Sequence, residues 1–120
     1  MSTRVMVVDD SRMVMLHLQN LLEDTEYEIA AYCRSGEEAI EQYGQVKPDL
    51  VTMDIIMPGM DGLETAQAIL EDYPDARILM VSSLAYDDTF DEAKEIGAKG
   101  FIDKPFDRQQ LLTALKNAME

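Results

Sequence analysis

Two patterns of apolar residues alternate along this chain. Short, dense runs occupy Val5 to Val8, Glu28 to Cys33, Leu50 to Met53, Ile78 to Val81 and Gly100 to Ile102. Runs this short and this continuous suit strands that are covered on both faces. A stretch with helical spacing follows each one. After the first, Ser11 is placed as a cap, and Val14, Leu18, Leu21 and Leu22 fall at i, i+4, i+7 and i+8. Ser35 and Glu38 have capping-box spacing and open a helix that turns Ala39, Ile40, Tyr43 and Val46 inward until Pro48 stops it. Asp61 and Glu64 repeat that spacing ahead of Leu63, Ala66, Leu70 and Tyr73, with Pro74 closing the helix. A helix from about Tyr86 to Ile96 is expected to bury Phe90, Ala93 and Ile96 and to end at Gly97. The last helix starts near Asp107 and carries the stripe Leu111, Leu112, Leu115 and Met119.

Five strand–helix units in strict alternation predict one α/β domain over residues 1–120. Its core is a doubly wound, five-stranded parallel sheet with helices on both faces. Ligands of such sheets bind at the carboxyl ends of the strands. The residues that interrupt the apolar runs collect at that edge. The first strand ends in Asp9 and Asp10, the third in Asp54, the fourth in Ser82, and the fifth near Lys104. Taken singly, each has an ordinary explanation as a cap, a turn residue, a strand end or a solvated lysine. Their convergence on one edge is what points to a site.

Three neighbouring carboxylates repel one another unless a cation neutralises them. Oxygen ligands alone select a hard cation such as Mg²⁺. Lys104 adds a point charge suited to a phosphoryl oxygen, and Ser82 adds a hydroxyl donor. An aspartate can itself be a phosphoryl acceptor, and Asp54, ending the central strand, is the candidate.

Composition narrows the partners. A net charge of −14, from 10 basic and 24 acidic residues, disfavours direct nucleic-acid binding. No apolar run is long enough to span a bilayer, and no secretory signal precedes the first strand. A cytoplasmic protein with no membrane partner is expected. The single cysteine, Cys33, is read as a small buried hydrophobe. The nine methionines, among them Met6, Met53 and Met80, are read mainly as core filling.

The motifs Val7-Val8-Asp9-Asp10-Ser11, Met53 to Gly62, Val81-Ser82-Ser83, Gly97 to Phe101 and Lys104-Pro105-Phe106 resemble the response-regulator receiver domain of two-component signalling. The resemblance spans Arg4 to Met119. It implies strand order 2-1-3-4-5 in a flavodoxin-like receiver fold. It also implies that Asp54 accepts a phosphoryl group from a histidine kinase. Mg²⁺ would be held by Asp10, Asp54 and the backbone carbonyl of Ile56, with Asp9 acting through water. Lys104 and Ser82 would contact the phosphoryl group, Phe101 would take the place of the switch aromatic, and the Lys104–Pro105 peptide would be cis. The face of the fourth helix, fifth strand and fifth helix would then control a downstream protein target. The chain would be a monomer or a phosphorylation-dependent dimer, and it would catalyse only its own phosphorylation and dephosphorylation.

Phe101 stands where chemotaxis members of the family carry tyrosine, so no phenolic hydroxyl reports the switch. Ile56 and Leu84 occupy the positions that tune dephosphorylation in the family, and both are apolar here. A slow loss of the phosphoryl group is therefore expected. Two architectures stay open: a chemotaxis-type regulator acting alone, or the receiver piece of a longer regulator with a DNA-binding or enzymatic output domain. Two other classes fit poorly. A phosphatase of the dehalogenase type carries a second aspartate two residues after the nucleophile as general acid, and Ile56 stands there. A flavin- or nucleotide-binding module needs a glycine-rich loop where Asp9-Asp10 stands.

Overall fold

The chain runs β1 (Thr3–Val8), α1 (Arg12–Leu21), β2 (Tyr27–Cys33), α2 (Gly36–Val46), β3 (Leu50–Asp54), α3 (Gly62–Asp72), β4 (Ile78–Ser82), α4 (Asp87–Ile96), β5 (Gly100–Asp103) and α5 (Arg108–Met119). The structure is a computed structural model that describes residues 2–83 and 87–120, with only the backbone of residues 87 and 88. All strand pairs are parallel, in the order β2-β1-β3-β4-β5. This is the expected doubly wound sheet.

Alternate residues of the central strands feed two separate cores. Met6, Val8, Val51, Met53 and Met80 face Ala39 of α2, Ala66 and Ile69 of α3, and Ala93 of α4. Val5, Val7, Leu50, Leu79 and Val81 face Leu18 of α1 and Leu111 and Leu115 of α5. Burial on both sides is why these strands carry unbroken apolar runs rather than an alternating pattern. Cys33 is a buried free thiol, and burial pushes its pKa up to about 12, so it behaves as a hydrophobe.

The helix starts follow the caps. Ser11 accepts the Val14 N–H at the start of α1, and Ser35 accepts the Glu38 N–H at the start of α2. The reciprocal capping box is closed in α3 by Asp61 and Glu64, and in α5 by Asp107 and Gln110. In α2 it is not closed, because the Glu38 carboxylate accepts from Arg34 N–H at 3.2 Å. Lys47 ends α2 in the left-handed region, with φ 51°. Gly97 ends α4 at φ 101°, with the Ala98 N–H bonded to the Ala93 carbonyl at 3.0 Å.

Two expected core residues lie at the surface. Phe90 is 45% exposed: the core face of α4 is taken by Ala93, and the Phe90 ring meets the edge of Phe101 in β5. Tyr73 is 42% exposed. It caps α3 after the last helical residue, so its ring leaves the inward face and packs on Tyr43 at 4.7 Å between centroids. Ile69, which the periodicity did not single out, fills the core there instead. The first two strands, β1 and β2, also begin earlier than their apolar runs. The Thr3 N–H pairs with the Glu26 carbonyl at 2.7 Å, which extends the β1–β2 ladder to Tyr27.

The turn after β3 depends on Gly62. Its N–H donates to the Ile55 carbonyl at 2.8 Å. A Cβ at this position would collide with the Asp54 carbonyl oxygen and lie 2.7 Å from Ile55 Cα. Both obstacles are backbone, so neither can swing aside. Gly62→Ala is predicted to destabilise the protein by about 2–4 kcal/mol through overpacking. Urea unfolding monitored by circular dichroism checks this, and a loss below about 0.5 kcal/mol, the range of a neutral surface change, would contradict it.

Candidate functional site

The four strand ends lie side by side in the sheet, and the polar residues that follow them meet. Asp9 sits one step past β1, where its N–H donates to the Cys33 carbonyl at 3.0 Å. Its Oδ1 accepts the Ser11 N–H at 2.8 Å, so the cap of α1 also fixes this carboxylate. That leaves Oδ2 facing Lys104 Nζ at 3.1 Å. Asp54 is the last residue of β3, paired in register with Val81, and only 7% exposed. Its Oδ1 lies 3.4 Å from the same Lys104 nitrogen. Asp10 is more accessible than the other two. Carboxylate oxygens of Asp9, Asp10 and Asp54 all fall within 4.8 Å of one another.

Lys104 reaches the cluster from the far edge of the sheet. Its backbone N–H donates to the Ser82 carbonyl at 2.8 Å, and its peptide bond to Pro105 is cis. Ser82 is fully buried at the end of β4, in register with Asp103.

The electrostatics follow from this packing. Burial is the main cause that pushes the Asp54 carboxyl up to about 6. The neighbouring Asp9 charge adds to it and Asp10 adds less, while Lys104 opposes both. With all three carboxylates ionised, one ammonium leaves two formal negative charges uncompensated. The donors are all oxygen and two of the three residues are buried. The cluster therefore fits a hard divalent cation of the Mg²⁺ type.

The other expected site residues are not all in this cluster. The Ile56 side chain is 53% exposed on the loop between β3 and α3, beside the cluster rather than in it. Phe101 is half-buried against the α2–α4 core and meets Phe90 edge-on, with centroids 5.8 Å apart. Leu84 lies outside the described residues. One residue was not anticipated. Thr52, two residues before Asp54 and on the same face, is 3% exposed, and its hydroxyl has no hydrogen-bond partner. It lines a crevice with Asp9 and Asp54 that is too tight to hold a water molecule. The signal available in the sequence was a lone polar residue inside an apolar run.

The response regulator receiver domain family matches residues 5–116. The chemotaxis protein CheY of Listeria monocytogenes is 38% identical over 115 residues, which is 96% of this chain and 97% of that protein. A chain of the CheX–CheY–BeF3–Mg+2 complex from Borrelia burgdorferi superposes with a TM-score of 0.93 at 33% identity, over 98% of this chain and 89% of that one. The response regulator domain of Thermotoga maritima CheB superposes with a TM-score of 0.91 at 33% identity, over 99% of this chain and 97% of that one.

The raised Asp54 pKa makes a pH-dependent prediction for the metal-free protein. Below about pH 4 the carboxyl is protonated in both the folded and the unfolded chain and costs nothing. As pH rises through the interval to about 6, the unfolded chain ionises first, so folding loses stability. Above that interval the loss is complete, on the order of 3 kcal/mol at most. Asp54→Asn is therefore predicted to stabilise the metal-free protein at pH 7 by about 1–3 kcal/mol, with the advantage vanishing near pH 4. Thermal unfolding in a chelator at both pH values checks this. A variant no more stable than the parent at pH 7 would refute it.

Proposed function

The chain belongs to the response regulator receiver domain family, and from that premise we propose that it is a phosphorylation-driven switch of a two-component system, acting in chemotaxis. The observation that most supports this reading is Asp54 itself, a buried carboxylate at the end of the central strand, inside an acidic cluster with one ammonium. An Asp54 carboxylate oxygen attacks the phosphorus of a phosphohistidine on a histidine kinase. A P–O bond forms, the P–N bond breaks in line with it, and the imidazole leaves with the electron pair and is reprotonated.

In this reading Asp10, Asp54 and the backbone carbonyl of Ile56 hold Mg²⁺, with Asp9 acting through a water. When bound, Mg²⁺ offsets the excess negative charge and screens the phosphoryl oxygens. Lys104 transfers its hydrogen bonds from Asp9 and Asp54 to a phosphoryl oxygen, and Ser82 donates its hydroxyl to another. Because the Lys104 N–H is tied to the Ser82 carbonyl, β4 and β5 respond together. Phe101 then turns inward away from Phe90, and the α4–β5–α5 face changes the surface it offers to a downstream protein. Driving such a switch from mostly off to mostly on takes roughly 5 kcal/mol of differential interaction, within reach of a few charge-assisted hydrogen bonds. The close superposition on the isolated CheB domain supports a second architecture, in which this receiver serves a longer regulator with its own output domain.

Acetyl phosphate is predicted to label the protein only when Mg²⁺ is present, and Asp54→Asn is predicted to take no label. Undiminished labelling of that variant would end the reading. The phosphoryl group is further predicted to be long-lived, because Ile56 and Leu84 offer attacking water no polar group. Decay of the label should accelerate in Ile56→Asn and in Leu84→Glu. Decay that is unchanged or slower would show that these positions do not set the lifetime here.

A further inference from the structure

Outside the carboxylate cluster, a groove of about 660 Å³ lies between α3 and α4. We propose that this groove docks a cationic, amphipathic helix of a partner protein.

Its floor is apolar and half-buried: Leu63 and Leu70 from α3, and Ile96 from α4. Its walls are acidic. Glu64 and Glu71 rise from α3, and Glu92 and Glu95 rise from α4. The helix α3 contains no lysine or arginine. The one cation of α4, Lys94, is directed elsewhere, with its Nζ 5.5 Å from the Phe90 ring centroid. The only ion pairs among the described residues are the two made by Lys104, so no cation among them forms an ion pair in the groove.

This acidity is local, although the whole chain is acidic. The hollow beside Phe90 and Phe101 is lined by Lys94 and Lys99 and by no carboxylate. The hollow between β5 and α5 has Asp103 as its one charged lining residue. A purely solubilising surface would not need an apolar floor between two facing rows of carboxylates. Like charges held side by side are unfavourable, and arginine or lysine side chains from outside would relieve them.

The spacing indicates a helix as the occupant. Leu63 and Leu70 are seven residues apart, two turns or about 10.5 Å along α3. Apolar anchors at i and i+7 of a helix lying in the groove match that interval, with its basic residues flanking them. Nucleic acid and anionic membranes would be repelled by the same carboxylates. The groove lies on the α3 side of α4, the helix it shares with the α4–β5–α5 face, and the inference does not depend on phosphotransfer to Asp54.

The test is an NMR titration of the full isotope-labelled chain with an amidated peptide of about 15 residues, long enough to hold some helix. The peptide carries leucines seven residues apart flanked by arginines. Shifts are expected to concentrate on Gln67, Leu70, Glu71, Glu92, Glu95 and Ile96. Neutralising the exposed Glu71, Glu92 and Glu95 together to glutamine should weaken binding about tenfold. Neutralising Glu23, Glu26 and Glu28, exposed elsewhere on the acidic surface, should change it less than about twofold. Both triple variants alter only exposed side chains, and circular dichroism confirms that each is folded. The same affinity is expected for Asp54→Asn, which separates this result from the phosphotransfer reading. The proposal is overturned if the peptide does not bind, if shifts spread over the whole acidic surface, or if a scrambled peptide binds equally well. Equal losses in the two triple variants would overturn it too.

Discussion

A carboxylate kept from water beside another carboxylate is unfavourable, and at Asp54 a single lysine offsets part of that cost. Lys104 is shared between Asp9 at 3.1 Å and Asp54 at 3.4 Å. It neither neutralises the cluster nor leaves it unanswered. Asp54 therefore retains a raised pKa in the folded chain, with burial as the leading cause. A structural role alone would favour an amide or an apolar residue at this point. The persistence of the charge makes sense if the cluster is built to receive a cation and an anionic group together.

The fold supplies this arrangement with few specialised parts. Parallel strands bring their carboxyl ends to one edge, and helix caps do part of the positioning. Ser11 begins α1 and also donates its backbone N–H to Asp9. Gly62 lets α3 start directly against the end of β3, where any side chain would strike the backbone of Asp54. A helix cap and a helix-opening glycine thus lie directly against the groups that form the site.

Most of this was legible in the sequence because it depends on local chemistry. Continuous apolar runs, capping pairs at i and i+3, and polar residues at the ends of runs gave the elements and named Asp9, Asp10, Asp54, Ser82 and Lys104. What stayed hidden depends on tertiary context. Phe90 and Tyr73 carry the right period for burial, but one lies beside the core face that Ala93 takes and the other caps its helix. The Lys104–Asp9 pair joins residues 95 positions apart, which no short-range pattern encodes. Thr52 was passed over because threonine is at home in strands, and only its missing partner sets it apart.

The position of the two working strands has a mechanical side. Asp54 belongs to β3, which is paired on both sides by β1 and β4. Lys104 follows β5, a four-residue strand paired on one side only. The residue that would undergo the chemistry sits in the stiffest part of the sheet, and the residue that would register it hangs from the softest. A gradient of rigidity of this kind lets a small change of charge at the centre be expressed as displacement at the rim, while Asp54 itself stays in place.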